Sequence, residues 1–170
     1  MQSVEEFLAY ATKLEQEAAI RYDQLADAME SCGNREVGKL FRRLADYSRL
    51  HLATSRARSG FRDVPEMKPE DFVWRGFESP ETAAIWAADP FIGREQALEI
   101  ALDAETAGLE YYRDIRDTTA DPEIKALAAE FVAEESGHVA QLHYWLAAHK
   151  AGEALPVEEL NLGAPTNQAR

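Results

Sequence analysis

The feature that most restricts how this chain can fold is a four-three stepping of seam residues, sustained through four separate segments. In the first, Val4, Leu8, Ala11, Glu15, Ala18, Tyr22, Leu25 and Met29 follow one another at intervals of four and three. In the second the series is Val37, Phe41, Leu44, Ser48, His51 and Ser55. The third runs Leu98, Ala101, Glu105, Gly108, Tyr112 and Ile115, and the fourth Ile124, Ala128, Phe131, Glu135, His138, Leu142, Trp145 and His149. Such spacing returns each side chain to one stripe of a 3.6-residue helix, the seam of a helix packed in a bundle.

Local signals bound these segments. Ser3 with Glu6 three residues on has the form of a capping box, so a first helix is expected from Val4 to Met29. Cys32-Gly33-Asn34 breaks the pattern before a second helix at about 35–58. A third is expected at about 93–118, and Asp121-Pro122 opens the fourth as N-cap and first-turn proline. Gly152 and Pro156 end it. Residues 60–92 lose the periodicity to Pro65, Pro69, Pro80 and Pro90, yet carry Phe61, Phe72, Trp74, Phe77, Trp86 and Phe91. That is too aromatic for a disordered linker, and a short helix is expected at Glu81–Ala88. The length suits a crossover running the height of the bundle. The prediction is all-α: one domain over residues 1–150, a four-helix bundle with a long crossover between helices 2 and 3, and a mobile tail over 151–170.

The two halves repeat. A-T-K-L-E-Q-E-A-A-I-R-Y sets Ala11, Glu15 and Tyr22 where A-L-D-A-E-T-A-G-L-E-Y-Y sets Ala101, Glu105 and Tyr112, and each half then brings a histidine on its second helix. A helical hairpin has been used twice.

Charge narrows the partners. Among 170 residues, 18 Lys and Arg face 31 Asp and Glu, a net −13, which disfavours nucleic acid and anionic membrane surfaces and favours cations. No run approaches the ~20 apolar residues of a membrane span, and no basic-then-apolar leader opens the chain. Cys32 is the single cysteine, so neither an intrachain disulfide nor a thiolate metal centre is available, and a cytoplasmic location is expected.

The strongly polar residues in the seams carry the chemistry. Glu15, Ser48, His51, Glu105, Glu135 and His138 sit near the middle of their helices, so antiparallel packing would bring them to one level. Glu135 and His138 are three residues apart, roughly 60° around the helix axis, and share a face with Phe131 and Leu142. Three buried glutamates and two histidines left unpaired would consume a typical stability of roughly 5–15 kcal/mol. Two divalent metals between them remove most of that penalty, and mixed carboxylate and imidazole donors suit iron or manganese, with zinc also able to bind.

One Glu on helices 1 and 3, with Glu-x-x-His on helix 4 and a matching histidine on helix 2, resembles the ligand pattern of ferritin-like di-metal carboxylate bundles. The A-x-x-x-E-x-x-x-x-x-x-Y and E-E-x-x-H phrases look like the rubrerythrin branch, over about residues 4–150. The resemblance implies Glu15 and Glu105 as terminal ligands, Glu135 as a bridge, and His51 and His138 as one imidazole per metal. It implies two iron sites and reduction of peroxide or dioxygen, or oxidation of Fe(II). An external electron donor would be needed, because the cysteine-ligated iron domain of some rubrerythrins is missing.

Two positions depart from the family pattern. Ser48 stands where a bridging glutamate is expected, so the two metal positions should be unequal, with only one fully occupied. Gly108, three residues after Glu105, supplies no extra carboxylate of the kind some members place there. Ser48 and Tyr47 are weak or substitute ligand candidates, and Tyr22 and Tyr112 are expected to hydrogen-bond ligand carboxylates. His143, Glu17, Glu99, Glu110 and Glu134 read as solvated or supporting groups, and the Trp74 and Trp86 stretch as packing or a homodimer contact. Two other classes fit the same residues: a non-catalytic iron or zinc binding or sensing protein, and a helical oligomeric scaffold whose site has degenerated.

Overall fold

The architecture is described from a computed structural model over residues 3–153. Four long helices, α1 (Val4–Ser31), α2 (Arg35–Ser59), α3 (Arg94–Thr118) and α4 (Pro122–Lys150), account for nearly all regular structure, and no strand occurs among the described residues. The most extensive packing is within the hairpins α1–α2 and α3–α4, as the internal repeat implies. The expected four-helix bundle is the fold. Residues of the expected tail from 154 onward lie outside the described residues.

The ends follow from local chemistry. Ser3 Oγ accepts from the Glu6 amide at 3.1 Å, and Asp121 Oδ1 accepts from the amides of Glu123 and Ile124 at 2.8 and 3.1 Å. Each bond satisfies a donor that the first helical turn cannot pair internally. At the first turn between helices Gly33 takes φ +87°, a left-handed conformation that a Cβ would strain, while the Asn34 amide closes onto Met29 O at 2.9 Å.

The apolar core is divided in two. One cluster holds Tyr22, Leu25, Met29, Phe41, Leu44, Leu98, Leu142 and Trp145; the other holds Phe7, Leu8, Leu14, Leu109, Tyr112, Ile124 and Phe131. On α1 and α3 the change from one cluster to the other falls near Glu15 and Glu105, and on α4 between Val139 and Leu142, just past Glu135 and His138. The seam acids therefore share a layer between two dry plugs.

The crossover is held against the outside of the bundle. Tyr10 packs edge-on against Phe72 and Trp74 at 5.0 and 5.1 Å, and its hydroxyl accepts from the Val73 amide at 2.9 Å. Phe61, Phe77, Trp86 and Phe91 are exposed. The expected helix at Glu81–Ala88 shrinks to a 3-10 turn, Ile85–Ala88. Its first half is diverted because Glu81 and Ala83 are drawn inward, with Arg21 bonding Ala83 O at 2.6 Å.

Removing the α4 cap by Asp121→Ala should lower stability by about 1 kcal/mol, read as a lower urea midpoint with an unchanged slope.

Candidate metal centre

Each helix delivers its polar seam residue to the layer between the plugs. Glu15 comes from α1, His51 from α2, Glu105 from α3, and Glu135 with His138 from α4; the three carboxylates and His51 are buried. His138 Nδ1 lies 3.0 Å from Glu135 Oε2 and 3.2 Å from Glu105 Oε2. His51 Nδ1 lies 3.8 Å from Glu15 Oε2. The two imidazoles stack face to face, 3.9 Å between centroids and 3° from parallel. All five residues expected from the sequence to act together are brought into one cluster.

Among the described residues, three sets of side chains have candidate ligand atoms within 4.8 Å of one another: Glu105, Glu135 and His138; Glu15, Glu81 and Glu135; and His51, Glu134 and His138. Glu135 is common to the first two. In the third set Glu134 is already paired with Arg58 at 2.8 Å, and that guanidinium lies 4.5 Å over the Phe131 ring. Glu134 thus has a fixed cation of its own.

Glu81 is the site residue that sequence reasoning missed. It sits on the crossover yet is fully buried, and neither of its carboxylate oxygens has a hydrogen-bond partner. An acid after a proline in an irregular segment reads as solvated. The available signal was Gly108, a seam position without a side chain: a Cβ there would stand 3.1 Å from Glu81 Oε2.

The supporting residues differ from expectation. Ser48 is buried, but its hydroxyl donates to Leu44 O at 3.3 Å, turned back on its own helix. Tyr22 and Tyr112 are fully buried beside the acids, yet their hydroxyls lack the expected hydrogen bond to a carboxylate. Tyr47 is buried too, its ring 6.4 Å from Trp145 and its hydroxyl unpartnered. It lines a cleft of about 20 Å³ with Leu44, His51, Glu105, His138, Gln141, Leu142 and Trp145. A cavity of 1030 Å³ on the outer face, beside Tyr10, Arg75, Tyr111 and Asp114, touches none of these acids.

Burial and crowding set the protonation of the layer. Glu15 is raised well above the carboxylate range by burial and by the charges of Glu135 and Glu105, and Glu81 likewise by burial and Glu15. Burial lifts Glu135 to about 7 against the hydrogen bond from His138. Burial also opposes the charged form of Glu105, but bonding to His138 wins and holds it low. For His138 burial is outweighed by Glu105 and Glu135, which raise it to about 11. His51 is pushed down to about 3, by burial and then by His138. Orphaned oxygens on Glu15, Glu81 and Glu135 in a dry layer are what a cation would satisfy, and carboxylate with imidazole is a donor set for divalent transition metals.

Fold and cluster together define a four-helix bundle with carboxylate and histidine groups that could hold a metal ion. The chain is similar over 85% of its length to the crystal structure, at 2.00 Å resolution, of COG1633, an uncharacterized conserved protein from Magnetospirillum magnetotacticum MS-1. The likeness covers 94% of that chain at 36% identity, with a TM-score of 0.62, and the protein belongs to that family. No family model and no curated protein matches the chain.

The shifts fix a pH dependence for the metal-free protein. Above pH 6.5 the unfolded chain has released protons that folded Glu135, up to about 7, and His138, up to about 11, retain, while His51 is neutral in both states; burial shifts Glu15 and Glu81 in the same upward direction. Groups raised in the fold lose their stabilisation as pH rises, so stability should fall from pH 6.5 through about 7 and continue falling above it. Bound divalent metal should displace the protons and remove the fall. Urea denaturation across this range checks both, and a flat metal-free profile contradicts the assignment.

Proposed function

We propose that the protein is a rubrerythrin-like di-metal protein that binds iron and reduces peroxide or dioxygen, or oxidises Fe(II), within the bundle. The observation carrying this is Glu135, whose carboxylate lies within 4.8 Å of the donor atoms of two separate sets, as a bridging group requires. Glu15 and His51 would hold one ion, Glu105 and His138 the other, with Glu135 reaching both. Iron held there would supply one-electron redox chemistry.

The protein's own groups supply the rest. Apolar plugs above and below the layer keep water from the buried acids, which strengthens their hold on a cation. The cleft beside His51 and His138 has room for about one water-sized molecule, a scale that favours peroxide or dioxygen over larger substrates. Tyr47 is among the residues lining that cleft, and its buried hydroxyl has no hydrogen-bond partner. Uptake of cations should release the protons held by His138 and the raised carboxylates. The electrons for turnover would come from an external donor.

Anaerobic Fe(II) titration followed by peroxide tests this reading. The expected result is saturable uptake, loss of at least ~10-fold in affinity in Glu135→Ala, and optical bleaching or colouring as peroxide oxidises the bound iron. Retention of Fe(II) unchanged under peroxide would leave a binding protein. Uptake that is absent, or indifferent to Glu135→Ala, would overturn the metal site itself.

A further inference from the structure

The crossover contributes chemistry as well as length. Resting on the di-metal reading above, we infer that Glu81 is a metal-binding carboxylate supplied by the crossover, occupying the space that Gly108 leaves open and replacing the acid that Ser48 removes. Four observations support it independently of that reading.

Glu81 is 0% exposed, although it belongs to an irregular segment whose acids ordinarily face water, and both its oxygens lack a hydrogen-bond donor. An oxygen of Glu81 lies within 4.8 Å of oxygens on Glu15 and Glu135, so the side chain is aimed into the cluster. The path inward exists because α3 carries glycine at position 108: a Cβ would meet Glu81 Oε2 at 3.1 Å and its Cγ and Cδ at 3.4 Å. The backbone on both sides of Glu81 is tied down. Arg21 of α1 bonds Ala83 O at 2.6 Å and forms an ion pair with Glu78, and the Thr82 amide closes a turn onto Ser79 O at 3.1 Å. Arg21 is thereby a positioning residue for Glu81.

Charge makes the same point. With Ser48 bonded to its own helix, the helices alone offer Glu15, Glu105 and Glu135, three negative charges against the four positive charges of two divalent ions. Glu81 restores neutrality in a layer where an unbalanced charge is costly. The two metal positions then need not be unequal: the ion held by Glu15, His51 and the shared Glu135 gains a further carboxylate from outside the helices.

The test is anaerobic Co(II) and Fe(II) titration, with stoichiometry by elemental analysis, on wild type, Glu81→Gln, Glu135→Ala and the double variant Glu81→Ala with Gly108→Glu. Wild type should take up two ions per chain. Glu81→Gln, which keeps shape and removes charge, should retain one ion and weaken the other by ~10-fold or more. The double variant, returning a carboxylate to the same space from α3, should recover the second ion. If Glu81→Gln binds both ions like wild type while Glu135→Ala does not, Glu81 is no ligand and the di-metal reading stands. If Glu135→Ala also binds like wild type, the di-metal reading fails first.

Discussion

Like charges confined in a dry layer are the constraint on which this structure turns. Glu15, Glu81, Glu105 and Glu135 converge where water is excluded, and each ionised carboxylate costs several kcal/mol there unless something positive is near. Protons do part of that work in the metal-free protein, through the raised carboxylates and the charged His138 between Glu105 and Glu135. A stability of roughly 5–15 kcal/mol cannot absorb such a cluster without compensation. The rest of the fold supplies the conditions: two apolar plugs that hold the helices together without help from the layer, and caps that fix where each helix begins.

The connection between the hairpins belongs to the same economy of charge. Its aromatic outer part packs on Tyr10 and Tyr111 and anchors the strap. Its inner part, pinned by Arg21, drives Glu81 through the gap at Gly108. A substitution at Gly108 therefore acts on the cluster through the crossover, although glycine has no side chain of its own to offer. Ser48 and Gly108, which in the sequence look like losses, become one arrangement once Glu81 is seen between Glu15 and Glu135.

The cleft lined by Tyr47, His51, His138 and Trp145 is small, while the large outer cavity near Arg75 and Asp114 stays apart from the acids. Arg58 pairs with Glu134 at 2.8 Å, so this further helix acid near the imidazole pair already has a cation partner. Family membership brings no function with it, since the M. magnetotacticum relative is itself uncharacterized.

Periodicity by itself determines the bundle. Four seams stepping by four and three, broken by Cys32-Gly33-Asn34 and Asp121-Pro122, fix four helices to within a few residues, because helix phase and capping are local properties. The same seams placed Glu15, His51, Glu105, Glu135 and His138 together, since residues on one stripe at similar height must meet when helices pack. What periodicity cannot carry is direction in irregular chain. Glu81 has no phase, and its burial depends on Arg21 sixty residues away and on an absent side chain at Gly108. Likewise Ser48 turns to Leu44 O, and Tyr22 and Tyr112 leave their hydroxyls unpartnered, because a rotamer answers to neighbours that only the packed bundle provides.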